Sequence, residues 1–211
     1  MELHREGDYQ ILKIGPLGPY NNNAYIISDT GARKSLIVDM PAESQQVIDA
    51  IGELRVDSII ATHWHPDHWA DYDLVRGATG ASVFVYEHEI RVPPERIDGR
   101  LHDGQEIEVG GVRVRVIHTP GHTPGSICLR VGRVLISGDT LFDAGPGRTA
   151  APADLQTELR SIADSLLELP PETIVWPGHG NGTTIAASVD GFTAFQSRTH
   201  APDLHGDVAW I

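Results

Sequence analysis

The segment His63-Trp64-His65-Pro66-Asp67-His68 places four potential metal ligands within six residues, and this crowding limits what the rest of the chain can do. Side chains so close along a short loop project in different directions, so one ion cannot gather all four. Two neighbouring ions can, with His63 and His65 turned to one side and Asp67 and His68 to the other. Each ion then needs donors from elsewhere, and distant stretches must fold back to the same place. Thr119-Pro120-Gly121-His122 and Pro177-Gly178-His179-Gly180 each offer one imidazole on a Gly-Pro turn, and Ser137-Gly138-Asp139-Thr140 offers a carboxylate with two oxygens to share. The count balances with His63, His65 and His122 on one ion, Asp67, His68 and His179 on the other, and Asp139 bridging.

What precedes these residues explains how they can meet. Ser58 to Thr62, Val112 to His118, Val134 to Ser137 and Thr173 to Trp176 read as strands, and each leads into a donor segment. Four strand ends therefore converge on one edge, where rigid strands position short functional loops. Further strands are expected at Tyr25 to Ser28, Ser35 to Asp39, Ser82 to Tyr86 and Ile127 to Val131, with hairpin turns at Gly110-Gly111 and Gly132-Arg133. Apolar stripes predict helices over Glu43 to Leu54 and over Ala153 to Leu169, the second ended by Pro170-Pro171. A third, from about Asp67 to Ala78, is expected to stop at Gly80 and to hold Asp67 in its first turn, near the positive end of its dipole. No repeat or long linker divides the 211 residues, so one domain over 1–211 is expected.

Composition narrows the chemistry. Cys128 is the only cysteine, read as an inert core thiol, so any metal must use imidazole and carboxylate. That donor set suits zinc, iron or manganese. With 16 basic against 29 acidic side chains the net charge is -13, which repels a phosphate backbone and points to a small-molecule substrate instead of nucleic acid. The first seven residues lack the apolar run of a secretory signal, and no stretch approaches the roughly 20 apolar residues of a membrane span. The expectation is a cytoplasmic protein without a membrane partner.

Taken in order, the HxHxDH cluster, Thr119 to Ser126 (TPGHTPGS), Ser137 to Phe142 (SGDTLF) and the PGHG turn resemble the metallo-β-lactamase superfamily, and within it the glyoxalase II-like, or hydroxyacylglutathione hydrolase-like, enzymes. The resemblance runs from about Asn21 to Thr184 and implies an α/β fold, a four-layered αββα sandwich with the site at the edge of two packed sheets. It implies a hydrolase with two zinc ions, with Fe2+ or Mn2+ as alternatives, that cleaves a thioester, ester or lactone by metal-activated water. Asp67 has the further catalytic part of orienting that water or taking its proton. A rival reading keeps a single Fe2+ on His63, His122 and Asp139, as in persulfide dioxygenases of the same superfamily, which Gly147-Arg148-Thr149 also resembles. A non-enzymatic metal-binding module is a third.

Outside the ligand set, Trp69 either walls a substrate pocket or packs in the core, and Arg148 either binds an anionic substrate group or braces its own loop. His118 is a candidate to support a ligand, and Asn21-Asn22-Asn23 to line the site. Two departures from the family stand out. Asp71 occupies a position where relatives usually carry Gly. The 32 residues after His179 leave no room for the helical domain with which glyoxalase II grips glutathione. The apolar end, Val208 to Ile211, either packs back on the domain or forms a homodimer contact.

Overall fold

The β-rich runs assemble into two sheets, one from each half of the chain, in a computed structural model that describes residues 1–211. The first sheet takes its strands in sequence order: β1 (Glu2–Glu6), β2 (Tyr9–Leu17), β3 (Asn22–Asp29), β4 (Lys34–Val38), β5 (Arg55–Ile60), β6 (Ser82–Tyr86) and β7 (Gly99–Leu101). Neighbours are antiparallel up to β4 and parallel from β4 to β7. Parallel pairs need crossovers, supplied here by α1 (Gln45–Ile51) between β4 and β5 and α2 (Tyr72–Thr79) between β5 and β6.

The second sheet holds β8 (Glu106–Val109), β9 (Val112–His118), β10 (Ile127–Val131), β11 (Val134–Gly138), β12 (Ile174–Pro177) and β13 (Thr183–Thr184), again neighbour by neighbour. Two-residue turns at Gly110-Gly111 and Gly132-Arg133 close the β8–β9 and β10–β11 hairpins as expected. Gly110 and Gly132 take φ of 63° and 54°, the left-handed region such turns require. α3 (Pro152–Ser161) carries the crossover between parallel β11 and β12, and α4 (Ile185–Gln196) follows β13.

Three apolar layers result. Ile11, Tyr25, Ile27, Val38 and Ile60 face Val114, Val116, Leu129, Ile136 and Trp176 between the sheets. On the outer side of the first sheet, Ile26, Ile37 and Ile59 meet Val47 and Ile51 of α1 and Val75 of α2. On the outer side of the second, Leu135 and Val175 meet Ile162 and Leu166 beyond α3, together with Phe192 and Phe195 of α4. This is the αββα sandwich. β3, buried at all eight positions, reads as a continuous run for that reason, whereas β9 alternates buried valines with exposed Arg113 and Arg115. No helix is long and apolar enough to cross a membrane.

The helix expected from Asp67 to Ala78 is two elements. Pro66–Trp69 is a 3-10 turn and α2 begins only at Tyr72 after Asp71, so Asp67 lies in the first turn of the short segment and the α2 dipole does not reach it as proposed. The stop at left-handed Gly80 holds. The helix expected over Ala153 to Leu169 is α-helical to Ser161 and then a π turn to Leu166. The expected Glu43 start of α1 is displaced because Glu43 sits at φ 67°. β1, β2, β7, β8, β13 and α4 lie outside the elements expected from the sequence. Gly15-Pro16 interrupts the alternation of β2, and Gly191 sits mid-helix in α4, where a Cβ would come 2.6 Å from Trp210 Cδ1.

Candidate metal centre

All four donor segments emerge at one edge, where the two sheets are stitched together. Ile127 N–H, opening β10, donates to Thr62 O after β5 at 3.0 Å. Asn23 N–H donates to Gly178 O at 2.7 Å, Gly178 N–H to Gly138 O at 2.7 Å, and Gly180 N–H to Asn21 O at 3.2 Å. Backbone amides so paired cannot drift apart without leaving buried polar groups unsatisfied, so the loops are held in one arrangement.

The seven donors then fall into two overlapping groups. His63 Nε2 lies 3.1 Å from His65 Nδ1 and 3.3 Å from His122 Nε2. His68 Nε2 lies 3.2 Å from His179 Nε2, and Asp67 Oδ2 stands 3.4 and 3.3 Å from those two nitrogens. Asp139 stands between the groups, with Oδ1 3.5 Å from His68 Nε2 and Oδ2 3.6 and 3.2 Å from His122 and His179 Nε2. The structure thus brings the seven residues together, and His63 also lies with His68 and Asp139 in a group that crosses the two expected sets.

Four of the rings are fixed from behind. His122 Nδ1 donates to Arg148 O and His179 Nδ1 to Tyr20 O, both at 2.8 Å. A carbonyl only accepts, so these nitrogens carry the hydrogen, and Nε2 of each ring, once the ring is neutral, presents its lone pair inward. His68 Nδ1 lies 2.9 Å from Asp39 Oδ2, and His63 Nδ1 lies 3.0 Å from Thr62 Oγ1, which itself donates to Asp39 Oδ2 at 2.9 Å. Asp39 also accepts from Thr62 N–H at 2.8 Å and pays for this position with φ of 62°, a conformation non-glycine residues rarely take. Asp39 and Thr62 are site residues that the ligand count alone does not find, whereas Asn22, one of the three asparagines singled out to line the site, donates Nδ2 to Asp67 Oδ2 at 2.8 Å. The available signal was position: Asp39 ends a strand at the same edge as the ligands.

The cluster fits divalent cations. The inward lone pairs of His63 and His122, 3.3 Å apart, repel unless positive charge lies between them, and buried Asp139 Oδ1 has no hydrogen-bond partner. Gly178 leaves Asp139 and His68 Cε1 the space a Cβ would take. Burial keeps His63, His65 and His122 below the ordinary imidazole range, His65 at about 4, so they are neutral donors. Burial opposes charge on His68 and His179 as well, but Asp139 with Asp39 lifts His68 well above that range, and Asp139 with Asp67 lifts His179 to about 10. The same contacts outweigh the burial of Asp139 and Asp67 and hold both carboxylates well below their usual range. Ionised carboxylates and neutral imidazoles are the forms that bind metal, and protons on His68 and His179 are displaced when a cation takes over their role.

Above the cluster lies a cleft of about 780 Å³ whose lining includes Asp67, His122, Tyr20, Phe142, Arg148 and Val208. Arg148 thus reaches the cleft, and its Nε is also 3.5 Å from Asp207 Oδ2. Trp69 does not wall it: the side chain is buried in the core beside α2, and its indole N–H donates to His63 O at 2.8 Å. His118 touches no donor ring; it stacks on Tyr86 and its Nε2 meets Pro124 O at 2.9 Å, bracing the loop that carries His122. Asp71 accepts Ser44 N–H at 2.8 Å and so ties the start of α2 to the start of α1, which gives the departure from glycine a structural use. Cys128 is buried, and burial pushes its thiol up to about 12, consistent with an inert core residue. Trp210 packs back between Phe192 and Phe195.

A sequence profile of the metallo-β-lactamase superfamily matches residues 17–179. Among curated proteins, the chain is 33% identical to the "probable metallo-hydrolase YqgX" of Bacillus subtilis, over 83% of this chain and 92% of that one. It is 32% identical to the "probable polyketide biosynthesis zinc-dependent hydrolase BaeB" of Bacillus velezensis (77% and 75% covered), and 36% identical to a hydroxyacylglutathione hydrolase of Albidiferax ferrireducens (80% and 66%). Among solved structures it is similar to the BLEG-1 B3 metallo-β-lactamase, with TM-score 0.74 and 30% identity over 85% of this chain and 96% of that one. It is also similar to ETHE1 from Myxococcus xanthus, with TM-score 0.77 and 25% identity over 89% and 86%. A protein crystallised in a di-iron-bound form gives TM-score 0.69 and 28% identity over 84% and 96%.

Proposed function

The chain belongs to the metallo-β-lactamase superfamily, and on that premise we propose that it is a glyoxalase II-like hydrolase that binds two zinc ions and cleaves a thioester, with esters and lactones as the neighbouring classes. The observation that carries the reading is the pair of donor groups, His63, His65 and His122 against Asp67, His68 and His179, with Asp139 placed to serve both. Ions held there supply Lewis acidity and activate water near neutral pH.

The protein's own residues do the rest. Asp67, held by Asn22 and kept strongly acidic, is a poor base and an effective acceptor, so its part is to orient the attacking water. Asp67 and Asp139, the two carboxylates beside the reacting position, are both held ionised, so neither can protonate a departing group. A leaving group stable as an anion, such as a thiolate, suits that environment better than an amine. The likeness to BaeB, described as zinc-dependent, supports zinc; the likeness to a di-iron form keeps iron in the test. A single Fe2+ on His63, His122 and Asp139 would leave four converging donors without a ligand's role, which weighs against the persulfide dioxygenase reading.

The test is metal analysis of protein purified without chelators, followed by assays on acyl thioesters, lactones and a persulfide. Two ions per chain and thioester hydrolysis without oxygen uptake are expected. One iron per chain with oxygen consumed on the persulfide overturns the proposal in favour of the dioxygenase. Inactivity with two ions bound favours the metal-binding module.

A further inference from the structure

Part of the cleft wall comes from the C-terminal tail, which carries no metal donor. Asp207, Val208 and Ala209 line the cleft beside the loop that carries Phe142 and Arg148. The tail is seated firmly. Trp210 is 2% exposed and lies edge-on to Phe192 and Phe195 at 5.6 and 5.7 Å, in the space Gly191 leaves open. Its backbone N–H donates to Ala144 O at 2.8 Å, while Thr149 and Gly206 exchange backbone hydrogen bonds of 3.3 and 3.2 Å. Gly145 lies so close to Val208 O that a Cβ would stand 2.5 Å away. Residues 206–210 are thus a fixed wall and not a loose end.

That wall sets the polarity of the cleft. Val208 and Ala209 are apolar, as are Phe142, Ala144 and Pro146 in the same lining. Arg148 is the one Lys or Arg in the lining, and the tail already sets Asp207 against it at 3.5 Å. An acyl chain ending in a carboxylate would have to compete with Asp207 for Arg148 and would meet the repulsion of Asp207 itself. An apolar chain meets neither obstacle and gains about fourfold for each methylene it buries.

We propose that the tail, through Asp207 and Val208, makes the cleft selective for substrates with an apolar acyl chain and discriminates against acyl groups that end in a carboxylate. The proposal deepens the hydrolase reading and rests on it for the chemistry, but selectivity is measurable apart from turnover. The zinc-loaded full chain is assayed with acetyl, hexanoyl and succinyl thioesters of N-acetylcysteamine, and calorimetry measures the binding of hexanoate and succinate. Hexanoyl is expected to exceed acetyl in kcat/KM by tenfold or more, and succinyl by a wider margin. Val208→Asp should cut the hexanoyl-to-acetyl ratio at least fivefold, and Asp207→Ala should raise the succinyl-to-hexanoyl ratio about fivefold, with parallel changes in the two affinities. Neither side chain is fully buried, so both variants are expected to fold, which circular dichroism checks. Ratios within twofold of the parent in both variants overturn the proposal. If no thioester is cleaved, the hydrolase reading fails alone: the hexanoate and succinate affinities still decide the role of the tail, and a preference unmoved by either substitution overturns it.

Discussion

The two halves of the molecule supply the candidate metal centre in different ways. The first sheet delivers four donors on residues 63–68, separated from the end of β5 by two residues, and the rings of His63 and His68 are fully buried and pinned by side chains, those of Thr62 and Asp39. The second sheet delivers three donors on three separate loops, and the rings of His122 and His179 are pinned by backbone carbonyls, one of them lent across by Tyr20 of the first half. One half is therefore a prebuilt block whose support can be removed by substitution. The other is a set of loops whose support is main chain, which no side-chain change deletes, and the same loops shape the cleft. The second half also supplies most of the cleft lining, to which the first contributes Tyr20, His65 and Asp67.

The contrast breaks first at Asp139, which belongs to the second half yet stands at both donor groups. Asp139→Ala should lower metal content below one ion per chain and thioester hydrolysis by a thousandfold or more, read by elemental analysis and steady-state kinetics. An active variant would reject the bridging role and make the halves independent.

The sharper test of the prebuilt block is Asp39, which touches no position a metal would occupy. Partners behind metal-ligating histidines typically contribute 10- to 100-fold to affinity. Asp39→Ala should weaken zinc binding by about that factor in competition with a chelator while the fold persists. A change of less than twofold would show that the buried side-chain support does no more than the carbonyls do for the second half.

Much of this was legible in the sequence, for unequal physical reasons. The convergence of the candidate donors was legible because each donor segment follows a β-branched run, and the period of a strand together with short Gly-Pro turns leaves few places for them to meet. Trp69 was open between pocket and core because its neighbours in sequence, His68 and Ala70, say nothing about which side of a 3-10 turn it takes. Asp39 was hidden because a lone Asp at the end of a strand has no spacing signature; its role exists only through Thr62 and His68, 23 and 29 residues away. The tail as a cleft wall was equally hidden, since Trp210 meets Phe192, Phe195 and Ala144 through tertiary contacts that no local pattern encodes.

A smaller effect belongs to Asn22, the first-half side chain that holds Asp67. A hydrogen bond to a charged group contributes about 1.5–3 kcal/mol when buried, and less at a half-exposed carboxylate such as this one. Asn22→Ala should lower kcat by about tenfold or less with two ions retained. Loss of metal instead would move Asn22 into the support of the centre and blur its distinction from Asp39.

The smallest effect compares one buried carboxyl in each half. Asp39 is fully partnered, whereas Glu158 of α3 is buried with neither oxygen meeting a hydrogen-bond partner, and burial raises it from the ordinary 4.5 to about 9. Folded protein therefore keeps a proton on Glu158 that the unfolded chain releases above about pH 4.5. The folded state binds more protons across that window, so stability falls as pH rises from 4.5 toward 9, by up to about 1.4 kcal/mol for each pH unit. Glu158→Gln keeps the shape without the titration, and pH effects of all other groups cancel in the difference between the two proteins. In metal-free protein the variant's Tm advantage should grow between pH 5 and pH 8.5 by at least about 2–4 °C, the shift expected for roughly 1 kcal/mol in a chain of this size. A difference that does not change with pH would mean that Glu158 is ionised against a partner in the second half, and the contrast with Asp39 would vanish.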